Sequence, residues 1–251
     1  MTSSSLKLIA IIIMTIDHTA SIIGQEGLIE LLPGASMKTT FFIYQLLHGI
    51  GRIAFPIFAF TVSESCKKTN SMPRYVGRLV LFAVISEPIY YIAFNPVEHS
   101  LNGFISNLLS FHFTNVLFTL AIGAVTIYIY KLFEQYMSRQ LMLFYIPVVF
   151  FSLYVGESIH CDYGMQGILL IVALYLAHSN RTKMLVIMIW SVVVYWAWLG
   201  SAVYCVCAAL SCIIIFFYNG KLGNGRKYFF YAYYPMHLGV LTMLDLLILN
   251  K

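Results

Sequence analysis

Arg52 stands in the apolar stretch from Gly49 to Glu64, with Pro56 one turn later and Glu64 at its end. A guanidinium cannot shed its proton and is costly in hydrocarbon, so it must face a protein interior or a wet cavity that holds an acidic partner. Asp17 and His18 lie deep in another apolar run, Glu87 follows Ser86 and precedes Pro88 in a third, and His237 lies well inside the last. A carboxylate, an imidazole and a guanidinium are together equipment for acyl transfer. That reaction needs a base to deprotonate an amine or hydroxyl, donors for the tetrahedral oxyanion and cations for an anionic donor. The same residue types also mark ion and proton pathways, so an ion- or proton-coupled transporter of a small solute is the alternative. The plainest reading is a set of ion pairs that lock helices together.

Spacing limits who can meet whom. Neighbours on a helix diverge by about 100°, so Asp17 and His18 address different helices. His48 and Arg52, four apart, share a face, and Gly49 and Gly51 permit close approach of a neighbour's backbone. Pro56 removes a backbone hydrogen bond one turn beyond Arg52. Glu87, near the middle of its run, is the expected counter-ion of Arg52. Glu64 adjoins Lys67 and Lys68 and either pairs with a lysine or serves the site. Arg74 and Arg78 open the next run on one face; Arg74 suits a membrane anchor, and Arg78 suits an anionic ligand as well. Asn115, Thr119 and Gly123, with Thr126 nearby, make a small polar stripe that reads as a packing seam, and Asn115 is equally placed to hold a substrate group. Asp162, before Tyr163 and Gly164, reads either as an N-cap or as a site residue. Tyr233 and Tyr234 lie about one turn before His237, on its side of the helix.

The elements that carry these residues are membrane spans. The 251 residues are 60% hydrophobic and only 10% charged, with a mean hydropathy of +0.83, whereas a soluble domain carries about 25% charge. Little chain is left for a soluble domain, and no nucleic-acid partner is expected. At about 20 apolar residues per crossing, spans are expected at Leu6–Ile23, Phe41–Ser65, Val76–Phe94, Asn115–Phe133, Leu141–Gly156, Gly164–His178, Met184–Leu199, Ala202–Phe217 and Tyr228–Leu249. Lysines and arginines gather in every second connection, which predicts nine crossings with the N-terminus cytoplasmic. The expected protein is an all-α, multi-pass bundle of the cell membrane forming one domain over 1–251. The long connection from Asn95 to Thr114 is expected to lie on the outer surface as a lid or short interfacial helix. The first run lacks a small-residue cleavage site and carries Asp17 and His18, so it reads as a span rather than a signal peptide. The five cysteines have no metal or redox spacing, and no metal is expected.

Taken in order, Ile16-Asp17-His18, the run Gly51 to Phe60, Arg78-Leu79 with Ser86-Glu87-Pro88, the run Asn115 to Leu120, Asp162-Tyr163-Gly164 and the run Tyr231 to Leu238 resemble the TraX family of membrane acetyltransferases. The founding members of that family N-acetylate conjugative pilin. The resemblance implies acyl transfer from acetyl-CoA and kinship with acyltransferase-3-type membrane enzymes. The acceptor would be extracytoplasmic, a pilin-type protein N-terminus or a cell-envelope glycan. The residue chemistry suits these roles. His18 is the expected base, with Asp17 or Asp162 supporting it; Arg52 or His237 would stabilise the oxyanion or hold the thioester, with Glu87 as counter-ion. Asn115, Asp162, Tyr163 and Tyr234 are expected on the acceptor side. Arg78 with Lys67, Lys68 or Arg74, and Glu64 among them, would meet the CoA phosphates at the cytoplasmic mouth. Asp17, His18, Asn115 and Asp162 form an expected outer set; Arg52, Glu64, Arg78, Glu87 and His237 form an inner one. The donor would enter from below, the acceptor from above, and the acetyl group would cross at mid-membrane.

Overall fold

Thr2 starts the first helix by accepting the Ser5 backbone N–H at 3.3 Å, which satisfies one donor that a helix start leaves without a partner. The computed structural model describes residues 1–94, 105, 112–224 and 227–248, and among them it is helical without strands. The helices are α1 (Ser3–Leu31), α2 (Met37–Gly51), α3 (Ala54–Lys68), α4 (Met72–Phe94), α5 (Val116–Tyr136), α6 (Tyr145–Ser158), α7 (Gly164–Leu176), α8 (Asn180–Ser191), α9 (Ala202–Phe216) and α10 (Lys227–Ile248). A 3-10 turn at Arg139–Phe144 leads into α6, and a π-helical turn at Val192–Trp198 continues α8. Ser36, Asn115 and Ser201 cap α2, α5 and α9 with their side chains. α1 is kinked at Gly24, whose φ of 69° lies in the left-handed region that glycine enters without a steric penalty. The expected Asn95–Thr114 lid lies outside the described residues apart from 105 and 112–114.

Among the described residues five segments are long and apolar enough to cross a membrane: Ser3–Leu31, Met37–Lys68, Met72–Phe94, Val116–Tyr136 and Gln140–Ser158. Gly164–Leu176 and Ala202–Phe216 are apolar but shorter. Large side chains such as Ile12, Phe150, Phe151, Tyr154 and Val206 are exposed along these helices, as expected where lipid replaces water as solvent.

The expected single span Phe41–Ser65 is two helices. α2 ends at Gly51, Arg52 and Ile53 form a turn, and α3 starts at Ala54. Pro56 therefore does not kink a helix. It sits in the first turn of α3, where its missing N–H is not needed.

The chain divides into two compact units, Met1–Phe58 with Pro88–Ser110 and Ile187–Lys251, and Ala59–Glu87 with Phe111–Val186. In the first, α1 packs on α2 and α10, and α9 packs on α2. In the second, α5 packs on α6 and α7, and α6 packs on α7. The Thr119/Gly123/Thr126 stripe faces this second core. Thr119 and Thr126 are fully buried, and a Cβ on Gly123 would come within 2.8 Å of Ile171 Cδ1. Gly123→Val should therefore force α5 and α7 apart and cost about 1–3 kcal/mol, read as a lower unfolding temperature in detergent.

Candidate functional site

In the first unit, the Asp17 carboxylate on α1 collects both polar groups from the end of α2. His48 Nδ1 lies 2.6 Å from Asp17 Oδ1, and because a carboxylate oxygen only accepts, Nδ1 carries the proton and donates. Arg52 Nη2 donates to both Asp17 oxygens at 3.3 Å, and Arg52 Nε donates to the His48 carbonyl at 3.3 Å. Helical spacing puts His48 and Arg52 on one face, and both sit at the C-terminal end of α2, where the helix dipole favours cations. Asp17 reaches them because Gly51 has no side chain; a Cβ there would overlap the Asp17 carboxyl. The Tyr44 and His48 rings meet edge to face, with centroids 4.4 Å apart. On α9, Tyr204 lies 5.7 Å from the Arg52 guanidinium and donates its hydroxyl to Gln45 Oε1 at 2.6 Å. His48 Nε2 is buried and has no hydrogen-bond partner.

This arrangement corrects one sequence expectation. Arg52 was expected to pair with Glu87, but its carboxylate is Asp17. The physical reason is the close α1–α2 approach that Gly51 allows, together with the turn at Arg52–Ile53 that ends α2. It also brings forward a residue that the expected site omitted, His48, whose only sequence signal was its four-residue spacing from Arg52.

His18 turns away from Asp17 toward α10, as the 100° step requires. His237 Nδ1 donates to the Tyr233 carbonyl at 2.9 Å, so its Nε2 carries a lone pair and accepts from His18 Nδ1 at 2.8 Å. This fixes the tautomer of both rings and leaves the lone pair of His18 on Nε2. Both nitrogens of His237 are thereby engaged, so it orients His18 and has no N–H left for an oxyanion. Thr15 Oγ1 donates to the Ile11 carbonyl at 2.7 Å and therefore accepts from the Tyr233 hydroxyl at 2.8 Å. Tyr234 is buried beside the pair, with ring centroids 6.1 Å from His18 and 5.6 Å from His237. The expected outer and inner sets are not kept apart: Asp17 pairs with Arg52, and His18 pairs with His237.

In the second unit, Glu87 and Asn115 find each other. Glu87 Oε1 accepts the backbone N–H and the hydroxyl of Thr114, each at 2.6 Å. Its Oε2 accepts the Asn115 backbone N–H at 3.0 Å and side-chain amide at 2.5 Å. The Asn115 amide also donates to the Ala83 carbonyl at 2.8 Å, and its oxygen caps α5 by accepting the Leu117 N–H at 3.0 Å. Glu87 is 1% exposed and Asn115 fully buried. A carboxylate receiving four donors ties α4 to the start of α5, so Glu87→Gln should cost about 3 kcal/mol by turning one acceptor into a donor facing donors. The check is a drop in unfolding temperature that Glu87→Asp partly restores.

Of the two readings of Asp162, N-cap of α7 or site residue, the first is not met, because Tyr163 takes the cap position in the left-handed region, with φ of 64°. The backbone of Asp162 is committed elsewhere. Its N–H donates to the Thr114 carbonyl at 2.7 Å, and its carbonyl accepts the Thr119 hydroxyl. The turn thus brings Asp162 and Tyr163 next to the Glu87–Asn115 pair. Burial pushes the nearby Cys161 thiol above its ordinary pKa, so it stays protonated at neutral pH and is a poor nucleophile.

At one end of the second unit Glu64 meets Lys183 at 2.7 Å, Lys68 at 3.5 Å and Lys67 at 3.8 Å. Lys183 was not expected there. Arg74 is exposed and Arg78 half-buried. Arg78 Nε is buried without a hydrogen-bond partner. Among the described residues no group of three or more histidine, cysteine or acidic side chains has metal-binding geometry.

Among the described residues five segments are long and apolar enough to cross a membrane, and one of them carries Asp17 and His18, paired with Arg52 and His237; this is the make-up of a helical membrane protein with a buried polar site. The chain belongs to the TraX family, whose model, described as TraX protein, matches residues 2–245. It is also 26% identical over 252 residues to a Dichelobacter nodosus protein described as "Probable fimbrial assembly protein FimC, serogroup H1", covering 94% of this chain and 92% of that protein. No solved structure matches it.

Proposed function

We propose that the protein is a membrane-embedded acetyltransferase, akin to acyltransferase-3-type enzymes, that moves an acetyl group from cytoplasmic acetyl-CoA to an extracytoplasmic acceptor. The observation that carries this reading is the Asp17–His48 pair, an imidazole oriented by a carboxylate with its second nitrogen buried and unpartnered. Family membership and the fimbrial name of the relative favour a pilin-type N-terminus as acceptor; a cell-envelope glycan is the second candidate.

His48 Nε2 takes the proton as the acceptor's nitrogen or oxygen attacks the thioester carbonyl. The tetrahedral adduct then collapses, the C–S bond breaks, and His48 returns the proton to the departing thiolate, so that an amide or ester and a free thiol result. An ammonium acceptor loses one further proton first, and the His18 Nε2 lone pair is a second base in the same unit. Asp17 holds His48 in the tautomer that leaves Nε2 basic. Arg52 neutralises Asp17, so the set carries no net charge into hydrocarbon. Arg78, with Arg74, suits the CoA phosphates because its buried Nε lacks a partner. We further propose nine crossings with the N-terminus cytoplasmic, from the cation-rich alternate connections.

The test is purified protein with acetyl-CoA, assayed for donor binding and for release of free thiol by slow hydrolysis. Wild type should bind and hydrolyse, Arg78→Ala should weaken binding, and His48→Ala should bind without hydrolysing. A wild-type protein that does neither ends the acetyl-transfer reading.

A further inference from the structure

Three ammonium groups crowd one carboxylate where α3 ends and α8 begins. Lys67 and Lys68 lie in the last turn of α3 and Lys183 in the first turn of α8. Glu64 can neutralise only one of the three. Lys183 is 7% exposed and lies 5.3 Å from the Phe60 ring centroid. Lys67 donates to the Ala177 carbonyl at 3.3 Å and lies 5.3 Å from the Tyr175 ring. Lys131, from the C-terminal half of α5, donates to the Cys66 carbonyl at 2.5 Å. Arg181, in the same first turn of α8 as Lys183, is exposed. With Glu134 of α5 also near Tyr175, five cations face two carboxylates in a setting lined by aromatic rings, where uncompensated charge is costly.

We propose that Lys67, Lys68 and Lys183 form a site for the phosphate of an anionic phospholipid headgroup, with Glu64 as the internal counter-ion that the phosphate joins or displaces. Two features favour a lipid over a nucleotide as the source of the phosphate. Every cation of the cluster bar Lys131 lies in the first or last turn of its helix, at the depth of headgroups, where basic pockets between helices take such lipids. The lysine stems also run beside aromatic rings, so the site is greasy below and charged above, like the lipid itself. The proposal does not depend on acetyl transfer.

The test uses the full-length protein in nanodiscs of phosphatidylcholine alone or with phosphatidylglycerol, read by unfolding temperature, and in detergent, read by native mass spectrometry of retained lipid. Wild type should retain phosphatidylglycerol and unfold at a higher temperature in the mixed discs. Lys67→Gln with Lys68→Gln, which leaves the Lys183–Glu64 bond in place, should lower retention by about thirtyfold for two lost cations. Glu64→Gln should raise retention, and it keeps the test decisive if the double variant folds poorly. Equal retention by wild type and the double variant, or no gain in Glu64→Gln, overturns the proposal. So does displacement of the lipid by adenosine 3′,5′-bisphosphate, which would assign the cluster to a nucleotide.

Discussion

His48→Ala should lower acetyl transfer by about two to four orders of magnitude, the usual contribution of a positioned general base, while donor binding and unfolding temperature change little. The substitution leaves Arg52 and Asp17 paired, so no charge is stranded in the membrane. Asp17→Asn is a different experiment. It takes the carboxylate from His48 and from Arg52 at once, so the loss of activity should come with about 3–5 kcal/mol of lost stability from the orphaned guanidinium. His18→Ala separates the two histidines. If His48 is the base, His18→Ala should slow the reaction less than His48→Ala does, and its effect should vary with pH for an amine acceptor, which must shed an extra proton. Thiol release at the wild-type rate from His48→Ala would remove the dyad from the mechanism.

Gly51→Ala should be nearly as damaging, although it adds a single methyl group and removes no polar atom. Its Cβ would fall on the Asp17 carboxyl, so α1 and α2 must separate or Asp17 must swing away, and either movement breaks the bonds to both His48 and Arg52. We expect activity to fall at least a hundredfold, about the loss that a 1 Å misplacement causes, together with a clear drop in unfolding temperature. Gly49→Ala is the matched control. A Cβ there would meet Cys207 Sγ and Val203 Cγ1 at 3.4 Å, which is ordinary contact, and alanine is the better helix former by up to about 1 kcal/mol. Gly49→Ala should therefore leave both activity and stability near wild type. Equal behaviour of the two variants would mean that the close approach at Gly51 does not matter.

Much of the architecture is legible in the residues themselves. Apolar runs of about the right length announce helices for hydrocarbon, because the bilayer leaves a backbone no partner but itself. The 100° step between Asp17 and His18 and the four-residue step from His48 to Arg52 state which side chains share a face. Pro56 is more ambiguous. The same residue kinks a helix from its interior or opens one from its first turn, and only the turn at Arg52–Ile53 separates the two cases.

Partner choice is what the linear pattern leaves open. Arg52 demands a carboxylate, and Asp17 and Glu87 both lie inside apolar runs, so local chemistry rates them alike. Tertiary packing decides between them: Gly51 lets α1 close onto α2, whereas the backbone and side chains of Thr114 and Asn115 fill Glu87. The same holds for Lys183, which reaches Glu64 across more than a hundred residues. Sequence by itself thus determined that charges and histidines would lie inside apolar helices and which face each would take, since burial cost and helical pitch are local properties. Which of them would touch was decided only by the folded chain, because a hydrogen bond needs atoms within about 3 Å and the approach of two helices depends on every side chain between them.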